Sequence, residues 1–208
     1  MNTDLVTRWH QLTAPFAPEA LGVTTLQQLV AAYEEPGRHY HTLTHIRALL
    51  RAVEEAPAPL QDLEVVELAI WFHDAVYNPL RSDNEARSAV LAQKFLAQTK
   101  LAPARVQRVV FLIEQTKDHT QPQPADPDLH FFLDADLQIL GAAATGYDQY
   151  AQQIRQEYRL VPGPLYRRGR RAVLEKMLAA PVLYRTEFFR EQLDSNARQN
   201  LQRELDRL

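Results

Sequence analysis

The sequence predicts an all-α protein, and three observations carry that reading. Apolar residues recur at helical spacing: Val106, Val109, Val110 and Ile113 follow i, i+3, i+4, i+7, one face of a helix. No segment sustains the apolar–polar alternation of a half-buried strand. The 6 glycines are not arranged as hairpin turns.

The breakers set out the elements in order. Pro57 and Pro59 separate a helix near 42–56 from one near 61–75, and Asn78-Pro79 ends the second. Ser82-Asp83-Asn84-Glu85 has the form of a capping box opening a helix near 83–100. Pro103 stands where the first turn of the next helix would begin. The stretch Thr120–Pro127 contains Pro122, Pro124 and Pro127 and reads as a loop. A short helix is expected from Asp134 to Leu140, with Gly141 as its C-cap. Tyr147, Tyr150, Ile154 and Tyr158 mark the next long helix, which Pro162-Gly163-Pro164 breaks. Phe189, Leu193, Ala197, Leu201 and Leu205 recur every four residues along a final helix. The tyrosine stripe fits either the core or a dimer surface; the usual burial of tyrosine favours the core, and a homodimer stays open. There is no repeat, low-complexity tract or clear boundary, so residues 1–208 are read as one domain.

Composition bounds the function. The chain has 208 residues, 46% of them apolar, enough for a substantial core. A formal net charge of -3 gives no basic excess for extended contact with a nucleic-acid backbone. The absence of cysteine excludes disulfides, iron–sulfur clusters and a cysteine nucleophile. Any metal must then be held by His, Asp and Glu, which suit Mg, Mn, Fe, Co, Ni or Zn. No apolar run approaches a membrane span, and the opening Met1–Leu12 segment lacks a signal-peptide core, so a cytoplasmic protein is expected.

Three clusters carry chemistry. His39, His41 and His45 fall within seven residues; on a helix His41 and His45 would share a face, as a solvated patch or as ligands. His73-Asp74 follows the apolar stretch Ala69–Phe72, where a charge is costly unless paired or metal-bound; a lone Asp–His hydrogen bond is the plainer alternative. Asp134 and Asp136 lie among apolar residues in Phe131–Leu140. Asp134 suits a helix cap, which explains Asp136 less well.

Together these clusters resemble the HD superfamily, whose pattern is a histidine, then His-Asp, then a distant aspartate. The segments YHTLTHI, WFHDAVYN, DNEARSA, FLDADLQILG, IRQEY and YRRGR are similar to those of small bacterial predicted metal-dependent HD phosphohydrolases. The resemblance implies an HD-domain helical bundle with a metal core over about 38–140 and C-terminal helices 143–208 packing on it. It implies a divalent cation held by His45, His73, Asp74 and Asp136. YHTLTHI also resembles the His-x-x-x-His element of cyclic-nucleotide phosphodiesterases, which implies that His45 binds metal and His41 is the general acid. An imidazole of ordinary pKa, near ~6.5, suits that work at neutral pH. Asp74 would take part in catalysis by bridging to a second, weakly held ion.

The expected activity is hydrolysis of a phosphomonoester or phosphodiester of a small molecule such as a nucleotide. Pocket candidates are Arg38, Tyr77, Glu85, Lys117, His119, Arg167 and Arg170. Arginine forks suit phosphate, and at least one of Arg167, Arg168 and Arg170 is expected to face the pocket; the plainer reading pairs that helix face with Glu157 or Glu175. Glu85 fits the capping box or a carboxylate behind the ligands, and His119 the pocket wall or a second ion. The competing readings are a regulatory nucleotide-binding module with little turnover and an HD-type oxygenase. The lack of a histidine between Asp74 and His119 counts against the oxygenase.

Overall fold

Helix starts in this chain are set by prolines and by short polar side chains. The computed structural model describes residues 3–208, and among them there are ten α-helices, one short 3-10 turn and no strand. No helix among these residues is long and apolar enough to cross a membrane. The chain divides into two compact units, Met1–Lys117 and Asp118–Leu208.

The first unit holds α1 (Thr3–Thr13), α2 (Glu19–Tyr33), α3 (Leu43–Glu54), α4 (Leu63–Phe72), α5 (Asn84–Leu96) and α6 (Pro103–Gln115). Every residue of α4 from Val65 to Phe72 is buried, as expected of a helix apolar on all sides. It packs against α3, α5 and α6, while α1 lies on α2. Trp9 of α1 meets Trp71 of α4 edge-on, with ring centroids 5.3 Å apart, and lies 5.6 Å from Phe95 of α5. The Trp9 indole donates to the Gly22 carbonyl at 2.8 Å, tying α1 to α2.

Asp62 caps α4 by accepting from Val65 N–H at 3.2 Å, and it also accepts from Arg105 Nε of α6 at 2.8 Å. Burial pushes the Asp62 carboxyl up, but the bonds from Arg105 and Val65 hold it below the ordinary carboxylate value. Pro103 occupies the first turn of α6, as its missing N–H predicts. Two sequence expectations need correction here. α4 ends at Phe72, well before Asn78-Pro79. The capping box does not form: α5 starts one residue later than that pattern requires, with Asp83 as N-cap and no side-chain cap bond. Arg81 takes the Asp83 carboxylate instead, with its Nε and Nη2 each 2.6 Å from an oxygen.

The second unit holds α7 (Pro127–Asp136), the 3-10 turn Gln138–Gly141, α8 (Ala144–Glu157), α9 (Gly163–Ala179) and α10 (Glu187–Arg207). The helix expected over Asp134–Leu140 is really the end of α7 followed by the turn. Asp126, which accepts from Leu129 N–H at 3.0 Å, and Pro127 in the first turn form the true start. Asp134 instead holds the segment that leads into α10: its oxygens accept from Arg185 N–H at 2.9 Å and Thr186 N–H at 2.7 Å, while Thr186 itself caps that helix. Gly141 is not a left-handed cap, because Gly37 alone among the described glycines has positive φ. A side chain at Gly141 would instead meet α10, with a Cβ only 2.5 Å from Leu193 Cβ.

Tyr147 and Tyr150 of α8 are buried in the core, while Tyr158, just past the end of α8, is half-buried. The Tyr147 hydroxyl donates to Glu204 of α10 at 2.6 Å. Arg170 of α9 donates to the same carboxylate through Nε at 2.7 Å and Nη2 at 2.8 Å. One half-buried carboxylate thus joins three helices of the unit.

Candidate metal centre

In the first unit the site begins at a tight turn. Gly37 has φ +127°, a backbone conformation that an L side chain rarely adopts. The chain then runs through Arg38–His41 to Thr42, which caps α3 by accepting from Thr44 N–H at 3.3 Å. His45 sits in the first turn of α3 and is buried. His41 precedes the cap, so the two histidines do not share a helical face. Their rings are still neighbours, with centroids 6.0 Å apart.

His73 closes the C-terminal end of α4 and is 1% exposed, which leaves its ring no solvent partner. Its Nδ1 lies 2.9 Å from the Ile70 carbonyl. A carbonyl only accepts, so Nδ1 carries the proton and Nε2 of the neutral ring presents a lone pair. That Nε2 lies 3.2 Å from His45 Nε2 and 3.1 Å from Asp74 Oδ2. The third side of the triangle, His45 Nε2 to Asp74 Oδ2, is 3.8 Å. Ligands bound at about 2.1 Å to one ion, at right angles to each other, stand about 3 Å apart. Two imidazole nitrogens and a carboxylate oxygen at these spacings could hold a metal ion, and the donor set fits a divalent cation.

The surroundings of this triangle are built in a way the sequence did not announce. Arg38 is buried and donates through Nη1 to the Asp74 carbonyl at 2.6 Å and through Nη2 to the Ala75 carbonyl at 3.0 Å. Its guanidinium therefore serves the backbone of the site. Tyr77 stacks on His41 with ring centroids 4.3 Å apart, and Tyr40 lies 4.9 Å from His45. On α5, Ser88 accepts from Val76 N–H at 3.0 Å, and Asn84 Oδ1 accepts from Asn78 N–H at 3.0 Å. Ser88 and Asn84 are one helical turn apart, so the segment DNEARSA clamps the loop that leaves Asp74. That i, i+4 pair of small polar residues was the available signal. Glu85 is half-buried in the first turn of α5, and Lys117 is exposed beyond the end of α6.

In the second unit, Asp136 is the last residue of α7, and its Oδ2 lies 3.0 Å from His119 Nε2. Arg185 holds the chain beside His119, donating through Nη2 to the His119 carbonyl at 2.7 Å and the Gln121 carbonyl at 2.9 Å. Arg167 and Arg168 are exposed. Arg170 is committed to Glu204, neither of the partners expected from its own neighbourhood, and its guanidinium lies 5.5 Å from the Tyr150 ring centre. Comparison of the chain with protein-family models, with curated proteins and with solved structures finds no match.

Proposed function

We propose that this protein is a metal-dependent phosphohydrolase of the HD type, acting on a small phosphorylated molecule. The observation that carries the reading is the convergence of His45 Nε2, His73 Nε2 and Asp74 Oδ2 in the first unit, with the His73 proton committed to Ile70. The fourth ligand in this reading is Asp136, which the resemblance to the HD pattern implies.

A bound divalent cation would neutralise phosphate charge and make water a better nucleophile at neutral pH. The remaining work falls to the chain. The Ile70 carbonyl fixes the His73 tautomer and so aims its lone pair. His41, flanked by Tyr40 and Tyr77, is the proton donor to the leaving oxygen. Arg38 and Arg170 spend their guanidinium groups on internal partners, which counts against both as the holders of substrate phosphate.

The test is elemental analysis of purified protein, followed by a phosphatase and phosphodiesterase screen with Mg, Mn, Co, Ni and Fe added. Metal together with release of phosphate or cleavage of a diester is the expected result. Metal without turnover across the screen would favour a regulatory nucleotide-binding module, and no metal under any condition would reject the site.

A further inference from the structure

A buried arginine normally needs a carboxylate partner, because taking a charge out of water is costly. Arg38 has one only at longer range. Its side chain is 3% exposed, and the Glu35 carboxylate lies 3.8 Å from its Nε, beyond hydrogen-bond range. Its charge is met mainly by three backbone carbonyls: Asp74 at 2.6 Å and His41 at 3.2 Å on Nη1, and Ala75 at 3.0 Å on Nη2. The guanidinium lies 5.1 Å from the ring centre of Tyr33 and 5.5 Å from that of Tyr77. Tyr77 in turn stacks on His41.

We infer that Arg38 is a positioning residue that clasps the two halves of the metal centre. One half is the turn carrying Asp74; the other is the segment carrying His41. The clasp rests on the metal-centre reading for its purpose, though its bonds stand independently. Holding the Asp74 and Ala75 carbonyls fixes the turn from which the Asp74 carboxylate reaches the histidines. Bonding to the His41 carbonyl and lying against Tyr77 fixes the backbone and one ring face of His41. Only a planar fork can serve carbonyls of successive residues while lying against aromatic rings; a lysine ammonium of the same charge lacks that shape.

The variants are Arg38→Lys and Arg38→Gln in the full chain, each checked for helical content by circular dichroism. Two readouts are needed: amide hydrogen exchange of peptides covering 39–42 and 73–78, and Mn affinity by calorimetry. The expected result is faster exchange in both segments, unchanged exchange in α8–α10, and Mn affinity about ten- to a hundredfold weaker in both variants. Wild-type exchange in those segments in a folded Arg38→Gln protein would overturn the clasp. Faster exchange with wild-type Mn affinity would overturn its positioning role. If the wild-type chain binds no Mn, Co, Ni or Fe, the metal reading fails separately and the role in positioning ligands falls with it, while exchange still decides the clasp.

Discussion

The Nε2 of His73 lies 3.2 Å from the Nε2 of His45, while the opposite nitrogen of His73 donates to its own helix at Ile70. Two lone pairs meeting in a buried place repel unless a cation or a proton lies between them. The neighbouring Asp74 oxygen, 3.1 Å from His73 Nε2, makes the case for a cation stronger. The most direct prediction concerns that carboxylate. Asp74→Ala is expected to abolish tight Mn binding in calorimetry and leave helical content intact, since the side chain sits in a turn beyond α4. Stoichiometric metal bound with unchanged affinity would sink the assignment.

His41→Ala separates binding from chemistry. The residue lies outside the three-atom cluster, with its ring between Tyr40 and Tyr77. Metal affinity should hold, and the rate of any hydrolysis found in the screen should fall by about a hundredfold or more, the usual worth of a general acid. Release of the metal in this variant would make His41 a ligand.

Ser88→Ala tests the clamp from α5. Ser88 is fully buried; its hydroxyl accepts from Val76 N–H at 3.0 Å and donates to the Val76 carbonyl at 3.3 Å. Alanine leaves both backbone groups unpaired, at a cost of about 1–3 kcal/mol in urea unfolding. A variant within error of wild type would show that water replaces the hydroxyl at no cost.

Acid stability should trace to Glu204. Burial pushes its carboxyl up, but the hydrogen bond and charge of Arg170 and the hydroxyl of Tyr147 bring it below its ordinary value of 4.5. A depressed carboxylate contributes stability that is present above its unfolded value and lost as pH falls through the folded one. The wild-type chain should therefore lose stability from about pH 5 downward. Glu204→Gln should cost about 3–5 kcal/mol at neutral pH, by leaving Arg170 buried without its charge partner, and should flatten the acid limb. Parallel pH profiles of the two proteins in chemical unfolding would refute this.

How much the sequence revealed depends on the range of the interaction. Local signals worked where covalent geometry enforces them: Pro103 starts α6, and prolines fill the loop before α7. Helical spacing located α6, α8 and α10, because burial of one face demands that period, and the proline breakers separated α3 from α4. The His-Asp dipeptide could be singled out because a histidine and an acid after a buried apolar helix need a partner.

What failed did so through distant competitors. Asp134 is taken by Arg185 and Thr186, some fifty residues on, and so does not cap the helix its position suggests. Gly141 answers to Leu193, not to its own helix end. Arg38 and Arg170 look alike in sequence as phosphate forks, yet one holds the carbonyls of a turn and the other a carboxylate on α10. By itself the sequence determined the helical class and which residue types could ligate a cation. The tertiary structure decided which side chains already had partners. A hydrogen bond depends on angstroms between segments far apart in the chain, and no local pattern encodes that distance.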